Sequence, residues 1–63
     1  MIKQYEAGDV VKTKWDDSDK PLKAVILRKY RGHRGTKYSV EMVKDGTIET
    51  ITEDQIVGVV RAR

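Results

Sequence analysis

The sequence predicts an all-β fold: five short strands closing into a small barrel, with one helical turn before the last strand. Three observations carry this. Apolar residues alternate with polar ones at a period of two, turn chemistry separates strand-length runs, and a 63-residue chain is too short to cover two faces of an open flat sheet. A chain of this size buries only about 60% of the surface exposed when unfolded, so the core is small. Hydrophobic residues make up 38% and charged residues 37%, a composition that still favours a folded chain over a disordered one.

The first strand turns Val11, Thr13 and Trp15 one way and Val10, Lys12 and Lys14 the other. Asp16 to Pro21 breaks that pattern. The second run, Leu22 to Tyr30, places Leu22, Ala24 and Ile26 on one face and Val25 and Leu27 on the other, as expected of a central strand. Arg31-Gly32-His33-Arg34-Gly35 then reads as a flexible loop. In the third run Tyr38, Val40 and Met42 oppose Ser39 and Glu41, and Lys44-Asp45-Gly46-Thr47 signals a hairpin. Ile48 and Ile51 mark the fourth strand. Thr52-Glu53-Asp54-Gln55 matches a capping box and predicts the helical turn. Ile56 to Val60 forms the fifth strand. Closure removes exposed strand edges and lets Val11, Ala24, Ile26, Val40, Ile51 and Ile56 share one interior, the arrangement of SH3-like barrels. The rival, a five-stranded oligonucleotide-binding barrel, needs longer strands. The domain is expected over 5–60, with flexible tails at 1–4 and 61–63.

Net charge is +3, unevenly spread. Arg28, Lys29, Arg31, Arg34 and Lys37 follow one another without an intervening acid, whereas Asp16, Asp17 and Asp19 crowd one short loop. Two oppositely charged loops suit a module that meets two partner surfaces, or a basic tail lying on nucleic acid; solvated loop charge is the simpler alternative. Trp15 has two open roles. It is either a large core residue or an exposed indole whose negative face, beside Asp16 and Asp17, attracts an alkylated cation.

The basic run offers a second mechanism, with Tyr30, His33 and two glycines among its cations. Three cations each meeting a phosphate give a log–log salt slope near −2.7, or roughly fortyfold weaker binding between 50 and 200 mM salt. Tyr30 is suited to stacking on a base or sugar. Little base preference is expected, and DNA and RNA are equally open.

Catalysis finds little support. His33, the single histidine, sits among cations with no carboxylate close in sequence to orient it. Ser18 and Ser39 lie in no nucleophile motif, and Asp16, Asp17 and Asp19 lack the His or Cys partners of a transition-metal site and the distal Glu of a calcium loop. No catalytic residue, metal ligand or cofactor is expected. The absence of cysteine fits a reducing compartment. No apolar run is long enough to insert in a membrane as a helix, and a soluble intracellular module is the expectation. Charges along the strands argue for a monomer.

The series Gly8-Asp9-Val10-Val11-Lys12-Thr13-Lys14-Trp15, Lys23-Ala24-Val25-Ile26, Tyr38-Ser39-Val40, Lys44-Asp45-Gly46-Thr47 and Glu53-Asp54-Gln55-Ile56 resembles a Tudor domain across 5–60. The resemblance implies a non-enzymatic, chromatin-associated, nuclear module that contacts a histone tail or another basic peptide, often through an aromatic cage around methyl-lysine or methyl-arginine. On that pattern Trp15 is a cage wall, Leu22 takes an aromatic position early in the second strand, Met42 or Val43 takes a third, and Asp45 sits at the rim. Tyr5 or Tyr30 is the available replacement ring. A cation–π contact contributes about 0.5–1 kcal/mol when exposed and about 2 kcal/mol when desolvated, so a cage lacking two walls implies weak methyl-lysine binding.

Overall fold

The computed structural model describes residues 5–61. The chain is all-β: β1 (Val10–Thr13), β2 (Leu22–Gly32), β3 (Gly35–Met42), β4 (Ile48–Thr52), a 3-10 turn at Glu53–Gln55, and β5 (Ile56–Arg61). The expected tails at 1–4 and 62–63 lie outside the described residues, whereas Arg61 belongs to β5 and pairs with Val10.

All pairings are antiparallel, in the order β4-β3-β2-β1-β5. The sheet is therefore open, and the expected closure into a barrel is not made by hydrogen bonds between β4 and β5. Yet Ile51 on β4 and Ile56 on β5, the two edge strands, join one buried cluster with Val11, Ala24, Ile26 and Val40. The sheet curls around a shared core without completing its ladder. Register shifts supply the bend: one in β2 between Ile26 and Arg28, and two where β5 meets β1. An extra residue on one strand increases local twist and re-aims the side chains beyond it.

The period-two pattern decides the inner face. Val11, Thr13, Ala24, Ile26, Tyr38, Val40 and Met42 are all buried. Tyr5 adds a residue from outside the strands, meeting Tyr38 edge-on with ring centroids 5.8 Å apart and an interplanar angle of 77°. Its N–H donates to the Tyr38 hydroxyl at 3.4 Å. Burial pushes both phenols above the ordinary pKa of 10.0.

Two turns differ from expectation. Arg31 and Gly32 belong to β2 and Gly35 to β3, so the basic loop is a two-residue turn, His33-Arg34, closed by the Gly32–Gly35 pair. Gly35 has φ +117°, which side-chain-bearing residues rarely adopt, and this glycine lets the ladder run to the tip. The Asp-Gly hairpin between β3 and β4 is longer than a two-residue turn: the Met42 N–H donates to the Thr47 carbonyl at 2.7 Å, and Gly46 takes φ +75°. At the 3-10 turn, Gln55 Oε1 accepts from the Thr52 N–H at 3.1 Å, the return arm of the capping box, and the Thr52 hydroxyl donates to Asp54.

Candidate functional site

Thr13, fully buried at the end of β1, organises one end of the molecule. Its hydroxyl donates to the Leu22 carbonyl at 2.8 Å and accepts from Trp15 Nε1–H at 2.7 Å. Both functions of the hydroxyl are used, so the indole is pinned in one orientation. The backbone is held as well. The Lys14 N–H donates to the Gln55 carbonyl at 2.7 Å, Gln55 Nε2 donates back to the Lys14 carbonyl at 3.5 Å, and the Ser18 N–H donates to the Trp15 carbonyl at 3.2 Å. Trp15 thus leaves the strand, which ends at Thr13, while its neighbour Lys14 stays tied to the 3-10 turn.

Neither role foreseen for Trp15 excludes the other. The ring is half-buried, packed with Leu22 against the core, and it also lines an open cleft of about 190 Å³. Leu22 and Met42 form the apolar floor, and Asp17, Asp45 and Glu49 supply carboxylates against the single ammonium of Lys44. Drug-sized ligands usually occupy 300–1,000 Å³, so a cleft this small suits one side chain. The indole N–H is spent on Thr13, leaving the ring to offer an aromatic surface to a cation.

Asp45 is placed by its own turn. Its Oδ1 accepts from the Thr47 N–H at 3.0 Å, and this bond holds its carboxyl below the ordinary pKa of 3.8. Hydrogen bonding to the charged form favours ionisation.

Of the residues foreseen for a cationic ligand, Trp15, Asp17, Leu22, Met42 and Asp45 come together at the cleft. Asp16 does not: it lines an adjoining depression with Lys14, Asp54 and Gln55, which Trp15 and Asp17 also border. Val43, the other candidate for the third wall, is exposed and outside the cleft. No second ring completes the wall, since Tyr5 is packed on Tyr38 and Tyr30 lies on the basic hairpin. Glu49 was missed. Its signal was strand parity: Ile48 and Ile51, three apart, cannot share a face, and the structure buries Ile51 while leaving Ile48 63% exposed. Glu49, two residues before Ile51 and paired with Val40, therefore shares their face of the sheet and lines the cleft as an exposed side chain.

The other end of β2 and β3 carries the basic hairpin. Tyr30, Arg31, His33, Arg34 and Lys37 line a shallow groove around its tip. Arg28 stands behind them, its guanidinium 6.0 Å from the Tyr30 ring centroid. Lys29 is turned away: its side chain is 17% exposed and pairs with Glu6 at 3.3 Å, which partly neutralises it. Strand parity explains this, since Lys29 pairs with buried Tyr38 and so projects from the inner face.

The cleft takes Leu22 and Met42, at one end of the β2–β3 ribbon, and the basic groove takes Gly32 and Gly35, at the other. The two surfaces therefore sit at opposite ends of the eleven-residue β2, in a molecule whose longest extent is 29 Å. Among the described residues no three His, Asp or Glu side chains cluster closely enough to hold a metal ion, and no helix is long and apolar enough to cross a membrane. Compared with known proteins, the chain matches no family model, no curated protein and no solved structure, so its functional reading rests on these two surfaces.

Proposed function

We propose that this chain is a non-enzymatic, chromatin-associated binding module of Tudor type, its curled sheet a variant of the SH3-like barrel. One end receives a cationic side chain of a histone tail or another basic peptide, methylated or not. The other meets nucleic acid. The observation that carries the reading is the convergence of Trp15, Leu22, Met42, Asp17, Asp45 and Glu49 on one side-chain-sized cleft, opposite a cationic hairpin tip. An aromatic face with an apolar floor suits alkyl groups on nitrogen, and surrounding carboxylates attract the charge without requiring one hydrogen-bond geometry.

A second reading is a sequence-nonspecific DNA- or RNA-binding module that does not recognise methyl-lysine. It is favoured by the single aromatic wall of the cleft and by the exposure of Tyr30, at 46%, beside the hairpin cations. Nuclear residence is expected under either reading if the partner is chromatin.

Isotope-labelled protein titrated with methylated and unmodified basic peptides, and separately with duplex DNA at two salt concentrations, divides these readings. Resonance shifts at Trp15, Asp45 and Glu49 with peptide support the first. Shifts confined to Arg31, Arg34 and Lys37 with nucleic acid support the second, and no shift with either ligand removes both.

A further inference from the structure

The tip of the β2–β3 hairpin has a shape that its charge alone does not require. Its last cross-strand pair is Gly32–Gly35, so the ribbon carries no side chain at the pair that closes the turn. His33 and Arg34 alone lead from this bare backbone, and both are exposed. The next pairs back are Arg31–Thr36 and Tyr30–Lys37, which place one cation on each face of the ribbon. Arg31, Arg34 and Lys37 make no ion pair among the described residues.

We propose that this tip enters the minor groove of duplex DNA, with Arg34 and His33 reaching the groove floor and Arg31 and Lys37 meeting the phosphates of the two walls. The inference rests on the nucleic-acid half of the function proposed above and deepens it by naming the ligand. The minor groove is about 6 Å wide, against about 12 Å for the major groove, which takes a helix or a ribbon bearing side chains. A ribbon bare of side chains at its last pair, behind a single arginine, fits the narrower slot at its tip. The minor groove of A-form RNA is wide and shallow and gives such a wedge no walls to contact. Narrow A·T tracts concentrate negative potential that draws in arginine, and the guanine 2-amino group obstructs the floor of G·C tracts. The tip therefore favours A·T-rich duplex over G·C.

Fluorescence anisotropy of the 63-residue chain with labelled duplexes tests this. Three DNAs are compared at one salt concentration: A·T-rich, G·C-rich, and the G·C sequence with inosine in place of guanine, which deletes only the 2-amino group. The A·T and inosine duplexes are expected to bind about fivefold or more tighter than G·C. Gly32→Val retains every cation while thickening the wedge. A Cβ at Gly32 meets only the Gly35 carbonyl, at 3.7 Å, an ordinary contact, so the strand accommodates it. This variant is expected to lose the A·T preference, as is Arg34→Ala, whereas Lys37→Ala weakens all three duplexes alike and flattens the salt slope by about one.

Equal affinity for all three duplexes, equal competition by duplex RNA, or an A·T preference that survives Gly32→Val overturns the inference. Equal binding with a steep salt slope leaves phosphate contact by the hairpin standing and removes only groove insertion. No binding to any duplex removes both. If Gly32→Val does not fold, by its amide spectrum and Trp15 emission, the inosine comparison and Arg34→Ala still decide.

Discussion

Trp15 Nε1–H donates to the hydroxyl of Thr13 at 2.7 Å, two residues back along the chain, and that hydroxyl directs its own proton to the Leu22 carbonyl at 2.8 Å. A core threonine thus sets the angle of the one aromatic wall of the cleft. Thr13→Val keeps the shape and removes both bonds, leaving a part-buried indole N–H and carbonyl unsatisfied. The expected cost is about 1–3 kcal/mol in urea unfolding. Peptide affinity falls with it, whereas DNA binding by the hairpin, at the far end of β2, is unchanged.

Charge at the cleft is separable from the turn that displays it. Asp45→Asn retains an oxygen for the Thr47 N–H and loses only the charge, whereas Asp45→Ala loses both. Both variants, and Glu49→Gln, are expected to weaken a basic peptide, with Asp45→Ala alone loosening the β3–β4 turn. Peptide titration followed at the amide of Thr47 checks this.

The Asp45 carboxyl is expected to titrate below the ordinary 3.8, because the ionised form accepts the Thr47 amide. Its contribution to stability is therefore complete above the unfolded-chain pKa and disappears as pH falls through the lower folded value. Carboxyl-carbon NMR reads the midpoint directly; a value at or above 3.8 contradicts the placement of this side chain.

The alkaline limit has the opposite sign. Tyr5 and Tyr38 titrate above 10.0 in the folded chain, chiefly because burial disfavours the phenolate. Their contribution is complete below 10.0 and is lost as pH rises from there through the folded values. Phenolate absorbance from Tyr5 and Tyr38 is expected to appear together with loss of the folded amide spectrum. Ionisation of every tyrosine in a chain that remains folded would contradict the buried Tyr5–Tyr38 pair.

Gly35 tests the hairpin. A Cβ there meets nothing within 4 Å, so the penalty for Gly35→Ala comes from the backbone at φ +117° alone, about 1–3 kcal/mol. Thermal unfolding measures it, and a neutral substitution would show that the turn relaxes without cost.

Much of this was legible because it is local. Alternation put Val11, Ala24, Ile26, Val40, Ile51 and Ile56 in the interior, and the Thr52-to-Gln55 spacing announced its turn, since each pattern is read over a few residues. Adjacency groups Asp16 with Asp17, but of these neighbouring loop residues Asp17 alone reaches the cleft, while both border the adjoining depression. Composition counts Lys29 with the free cations, but strand parity turns it inward to Glu6.

The sequence by itself determined the all-β class, the order of strands and turns, and the separation of an acidic, tryptophan-bearing loop from a cationic one, because periodicity, turn residues and charge are properties of short segments. Only the tertiary structure decided that Glu49 faces the cleft, that Tyr5 completes the core 33 residues from Tyr38, and that the ladder stays open between β4 and β5. Those outcomes depend on register and bulges between strands far apart in the chain. A shift of one residue there reverses which side chain faces inward, and no local pattern records it.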